Sequence, residues 1–134
     1  MRSYNVEYEI SRLPEGLGKE ILTILSNHKG REKAILGDRL TEIVQFRGFV
    51  VNNRQVRLQI SQLRKSGVLI GSAPGSAGGY YICSSPEELE EFVREEYLPK
   101  INDMRETLSA MRKAASKHWG KAAKHDNALQ QSFL

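Results

Sequence analysis

Asn53-Arg54-Gln55-Val56-Arg57-Leu58-Gln59-Ile60-Ser61-Gln62-Leu63-Arg64-Lys65-Ser66-Gly67 is the stretch on which the reading of this chain turns. Val56, Ile60 and Leu63 fall at i, i+4 and i+7, a narrow apolar stripe on a helix. The other side carries Arg54, Arg57, Ser61, Gln62 and Lys65, and the run holds no acid. Asn53 is suited to cap the start, and Gly67 to the left-handed position beyond the last turn. A helix with a thin buried edge and a long-armed basic, amide-rich face has the shape and charge to enter a DNA major groove. Arg, Asn and Gln reach base edges through paired hydrogen bonds.

Charge along the chain is partitioned. His28 to Gly67 holds nine Lys/Arg against three Asp/Glu, +9 − 3 = +6. Pro86 to Arg105 holds three basic against seven acidic residues, +3 − 7 = −4. Ser66 to Ser85 has no charged side chain. One segment attracts polyanions and the next repels them. The 134 residues, 40% hydrophobic and 27% charged, are ordinary for one globular domain with an appended helix or tail. No apolar run approaches the roughly 18 residues of a membrane span, and the N-terminus shows no apolar signal region. A single cysteine, Cys83, cannot form an internal disulfide, which suits a reducing, cytoplasmic setting.

Outward from the basic helix, the pattern gives an element order. Ser3 to Ile10 alternates, with Tyr4, Val6, Tyr8 and Ile10 on one side, and predicts an N-terminal strand. Leu17 to His28 reads as a helix buried through Leu17, Ile21, Ile24 and Leu25. Arg31 to Leu36 is either a short helix or an extended link. A second helix opens at Gly37-Asp38, with Asp38 as cap and Leu40, Ile43 and Val44 inside. Gln45 to Asn52 is long for a helix-turn-helix connection, where three or four residues are usual. After the basic helix, Val68–Gly71 and Gly79–Cys83 flank a Ser/Ala/Pro/Gly loop and predict a hairpin. Ser85-Pro86-Glu87-Glu88 is a capped helix start. Pro99 kinks or breaks that helix. Beyond it Ile101, Met104, Leu108, Met111 and Ala115 recur at spacings of three and four, a coiled-coil seam of about two heptads. That seam is too short to stand alone in water and calls for its own domain or a second copy.

Leu63-Arg64-Lys65-Ser66-Gly67-Val68-Leu69-Ile70-Gly71, followed by Gly78-Gly79-Tyr80-Tyr81-Ile82, resembles the recognition-helix end and wing of the biotin-operon-repressor type of winged helix. The capped acidic helix Ser85-Pro86-Glu87-Glu88-Leu89 after it is similar to that of small winged-helix proteins encoded by phages and prophages. The resemblance spans Leu17 to Tyr97. It agrees with the element order, and together they predict an α+β, mostly α fold: a winged helix-turn-helix with an N-terminal strand, a β-hairpin wing and a C-terminal helical extension. It further implies binding to double-stranded DNA. Two departures stand out. The turn before the basic helix exceeds the family's. The wing tip has no Lys or Arg, so its phosphate contact falls to backbone N–H groups or to Ser72 and Ser76.

The expected base contacts are Asn53, Arg54, Gln55, Arg57 and Ser61, in the first two turns of the basic helix. Arg57 lies toward the helix side, in reach of a phosphate or of an acid on a neighbour. Leu58 also projects outward; of a thymine methyl and the underside of the long turn, the reading favours the turn. Phosphate contacts are expected from Lys29, Arg31, Lys33, Arg39, Arg47, Arg64, Lys65, Ser72 and Ser76, each engaged cation steepening the salt dependence by nearly one unit. Of Tyr80 and Tyr81, one packs on the basic helix and the other faces solvent or DNA.

Other chemistry finds no support in the sequence. Ser72 to Gly79 lacks the Lys of a phosphate-binding loop and any G-x-G-x-x-G. His28, His118, His125 and Cys83 lack metal-ligand spacing. The glutamates from Glu87 to Glu96 form a solvated helix face rather than an acid–base pair. No enzyme, cofactor or metal is expected. The expected organisation is residues 1–85 as the DNA-binding domain, 86–116 as a helical segment pairing two copies through Ile101, Met104, Leu108 and Met111, and 117–134 as a flexible tail. The tail ends with Gln130, Phe133 and Leu134, similar to short peptides that bind bacterial sliding clamps. The expected function is a homodimeric, sequence-specific transcriptional regulator. The alternatives are a phage replication or recruitment factor, an inhibitor of host machinery, or a winged helix that binds only protein.

Overall fold

The computed structural model describes residues 4–75 and 78–120. They form a mostly helical α+β structure in two compact units, which divide at Val93/Arg94. The first unit holds helices α1 (Val6–Arg12), α2 (Leu17–Leu25), α3 (Gly37–Phe46) and α4 (Asn53–Lys65), strands β1 (Ile70–Ala73) and β2 (Gly79–Ile82), and α5 (Pro86–Phe92). A π-helical turn, Val93–Tyr97, leads into α6 (Leu98–Trp119) of the second unit. α5 belongs to the first unit: it packs against β1, and its Phe92 is buried. Pro99 sits in the first turn of α6, where its missing N–H costs nothing.

The expected N-terminal strand is a helix. Asn5 caps α1, its side chain accepting from the Tyr8 N–H at 3.0 Å. Glu7 and Glu9 lie in the first turn, where the helix dipole favours anions. Val6, Ile10 and Leu13 also stand at i, i+4 and i+7, and these three turn toward the core while Tyr8 is exposed. The alternation of this segment contains a helical stripe, and packing on α2 selects it.

One core joins the helices to the hairpin: Ile21, Leu22 and Leu25 of α2, Leu40 and Val44 of α3, Val56, Ile60 and Leu63 of α4, and Ile70 and Ile82 of the strands. The strands are antiparallel, Ile70 opposite Ile82 and Ala73 opposite Gly79. They gain a third partner in the segment after α2. Ile35 exchanges hydrogen bonds with Tyr80 at 2.9 and 2.8 Å, and Gly30 and His28 bracket Ile82 in the same way. Gly79 makes this possible. Its φ is +132°, and a Cβ there would lie 2.1 Å from the Ile35 carbonyl oxygen. The ambiguous Arg31–Leu36 link is thus a single 3₁₀ turn, Arg31–Lys33, followed by a sheet edge.

Candidate nucleic-acid interface

The basic helix forms where its spacing indicates, with its cap one residue earlier. Asn52 is the N-cap, and Asn52 and Gln55 exchange two 2.9 Å side chain–backbone bonds in a capping box. At the other end Gly67, φ +99°, completes a Schellman motif: Val68 N–H reaches the Leu63 carbonyl and Gly67 N–H that of Arg64, both at 3.0 Å. Val56, Ile60 and Leu63 are buried, so the remaining face of α4 points outward by construction.

Three expected contact residues on that face turn out to be engaged by the fold. Gln55 spends its carbonyl on the cap. Asn53 donates to Asp38 at 2.9 Å, tying the start of α4 to the first turn of α3. Asp38 therefore bridges two helices instead of capping its own, whose N-cap is Leu36. Arg64 is drawn inward: its Nε donates to the Ile70 carbonyl at 2.8 Å, and its guanidinium lies 5.0 Å from the Phe92 ring centre and 5.9 Å from that of Tyr80. This stack joins α4, β2 and α5 and removes Arg64 from phosphate reach. Tyr80 takes part in it, while Tyr81 is wholly buried. Gly71 opposite leaves the room, since a Cβ there would meet the Tyr81 ring at 2.5 Å.

Arg54, Arg57 and Lys65 are exposed on α4, and among the described residues none has an acidic partner. Ser61 is half-buried between them. Arg57 also borders a cleft of about 50 Å³ with Gly37, Asp38, Thr41 and Tyr80, at the N-terminus of α3, which has no side-chain cap.

Most of the other cations are neutralised. Lys29 meets Glu7 at 2.8 Å, Arg39 meets Glu42 at 3.2 Å and Arg47 meets Glu20 at 3.4 Å. Arg31 pairs with Glu91 of α5, and its backbone N–H donates to Glu88 at 3.1 Å. The acidic helix therefore masks Arg31 and holds Arg64 through Phe92, but leaves Arg54, Arg57 and Lys65 of α4 exposed. Lys33 is exposed and Ser72 half-buried. Ser76, Gln130, Phe133 and Leu134 lie outside the described residues.

The turn between α3 and α4 runs from Arg47 to Asn52 and is held by Phe49 and Val51 on the core and by a 2.7 Å bond from Gln45 Nε2 to the Val51 carbonyl. Leu58 does not pack beneath it; the side chain is 55% exposed. Phe46 and Val50 at the same turn are 93% and 98% exposed. No periodicity singles these two out: Phe46 precedes the core contacts Phe49 and Val51, and Val50 lies between them. The seam residues Ile101 and Leu108 are half-buried, and Met104 and Met111 are exposed.

Burial shapes two titrations behind this surface. It pushes the Tyr81 hydroxyl up to about 12 and the Cys83 thiol up to about 11. Both are neutral structural groups at physiological pH. Among the described residues no three His, Cys, Asp or Glu side chains gather as a metal site, and no helix is long and apolar enough to cross a membrane. No family, curated protein or solved structure matches the chain.

Proposed function

We propose that this chain is a winged helix-turn-helix protein that binds double-stranded DNA with α4 in the major groove, acting as a homodimeric transcriptional regulator. The observation that carries the reading is the contrast in charge pairing. Among the described residues Arg54, Arg57 and Lys65 have no acidic partner on the outward face of α4, while Lys29, Arg31, Arg39 and Arg47 are each held by a glutamate. Unpaired cations on a rigid helix are already aligned, so no side-chain pairing is broken when they meet phosphates or guanine edges. The helix order and the hairpin after α4 agree with the wing arrangement. Leu58, one turn from Arg54, offers an apolar contact to a thymine methyl. α3 braces α4 through the Asp38–Asn53 bond and supplies the backbone-side cleft beside Arg57.

Selection of bound duplexes from a random pool tests this directly. A palindromic consensus is expected, with half-sites about one helical turn (~34 Å) apart. In a salt titration, Arg54→Ala with Arg57→Ala lowers affinity and flattens the slope, whereas Arg39→Ala changes little. The exposed Phe46, Val50 and Leu58 favour one other reading, in which this face meets a protein. Absence of any enriched duplex, with no affinity at low ionic strength, would favour that reading.

A further inference from the structure

We infer that α6 pairs with α6 of a second copy of this chain, and that the two helices run antiparallel. The inference rests on the homodimer proposed above and adds its geometry. α6 is 22 residues long, about 33 Å, and none of its residues is buried. Met104 is 60% and Met111 65% exposed on the stripe that also carries Ile101, Leu108 and Ala115. A helix this long gains most of its stability from covering such a stripe. A second copy covers it with an identical one.

Two asymmetries along the helix fix the direction. The first is charge. Leu98 to Glu106 holds Lys100 and Arg105 against Asp103 and Glu106, +2 − 2 = 0. Thr107 to Trp119 holds Arg112, Lys113 and Lys117 and no acid, +3. Parallel pairing sets +3 against +3 at one end. Antiparallel pairing sets +3 against a neutral half at both ends and also opposes the helix dipoles favourably.

The second asymmetry is size. The early half presents Leu98, Ile101 and Met104. The later half has a concavity of about 570 Å³ lined by Leu108, Met111, Ala114, Ala115 and Trp119. Antiparallel packing lays the bulky half of one copy over the alanines of the other. Parallel packing sets alanine against alanine and leaves a void, which close-packed interfaces avoid. The two-fold axis then passes near Leu108.

Two measurements on the full chain decide it. Single cysteines at Ile101, Leu108 or Ala115 are treated with a short bis-maleimide. Cys83 is buried and its thiol is pushed up to about 11, so background labelling is slow. Antiparallel helices bring Leu108→Cys near its twin and leave Ile101→Cys about 21 Å from its own along the axis. Cross-linked product should be at least about tenfold higher at 108. Equal yield at all three positions means parallel helices and overturns the inference. Sedimentation of Lys113→Glu with Lys117→Glu gives an independent sign: antiparallel pairing stays within about threefold, whereas parallel pairing tightens about tenfold or more as its +3/+3 repulsion goes. A wild-type chain that stays monomeric at about 100 μM overturns both this geometry and the homodimer. DNA affinity, read separately by anisotropy, reports on the α4 reading alone.

Discussion

α4 and α6 are both amphipathic helices with a short apolar stripe, and the fold treats them oppositely. α4 has a capping box at one end, a Schellman motif at the other, and Val56, Ile60 and Leu63 buried between. α6 has no side-chain N-cap and buries nothing. The stripe of α4 is consumed by its own domain, which aims the opposite, cationic face at solvent. The stripe of α6 is left over. One helix is finished and displays polar chemistry; the other is unfinished and displays apolar surface. The same kind of pattern therefore supports two kinds of partner, a polyanion for α4 and a second copy for α6.

The contrast can be broken by removing core. Ile60→Ala should cost about 2–5 kcal/mol in urea unfolding, since the cavity is enclosed on all sides. Leu108→Ala should cost the dilute monomer well under about 1 kcal/mol, because half-exposed side chains leave no cavity. Equal losses would mean that α6 is packed as firmly as α4. On the binding side, Arg54→Ala and Arg57→Ala should each cost roughly 1–3 kcal/mol of DNA affinity by anisotropy. Lys113→Ala with Lys117→Ala should cost less than either, if DNA reads α4 and not α6.

Gly79→Ala sharpens the account of how α4 is supported. The added Cβ meets the backbone of Ile35, so the third sheet edge must separate, at about 1–3 kcal/mol. Fast amide exchange at Ile35 and Tyr80 would report the loss. Alkaline pH gives a smaller effect confined to the first unit. The Cys83 thiol moves from 9.0 to about 11 on folding, so between those values the unfolded chain has lost a proton that the folded chain keeps. Stability then falls as pH rises above about 9, and Tyr81 extends the fall from 10.0 toward about 12. Melting temperature should drop by a few degrees between pH 8 and pH 10.5, and Cys83→Ala should remove part of the drop. The least effect is expected at Glu7, whose carboxyl is held below its usual range by Lys29. The contribution is present above the ordinary carboxylate range and is lost as pH falls through the lowered value. Because the pair is exposed, Glu7→Gln should leave the melt unchanged within error while freeing Lys29 for anions.

Several readings failed for identifiable reasons. Tyr4, Val6, Tyr8 and Ile10 alternate, but Val6 and Ile10 are also one helical turn apart, and Leu13 extends that row. Period alone does not choose between them; the Asn5 cap and burial on α2 do. Arg64 looked like an arm for phosphate because its neighbours on the helix are basic. Its stack on Tyr80 and Phe92 joins residues 16 and 28 positions away, counted as 80 − 64 and 92 − 64. The long turn hid which of its apolar residues face in.

The sequence by itself determined the extent of α4, its terminal glycine and the direction of its basic face. These depend on contacts three to five residues apart, which spacing and caps specify. Only the tertiary structure decided which cations stay free. Lys29 and Glu7 are 22 positions apart and Arg31 and Glu91 are 60 apart. No local pattern records such a pair, because an ion pair forms where the folded backbone happens to bring opposite charges together.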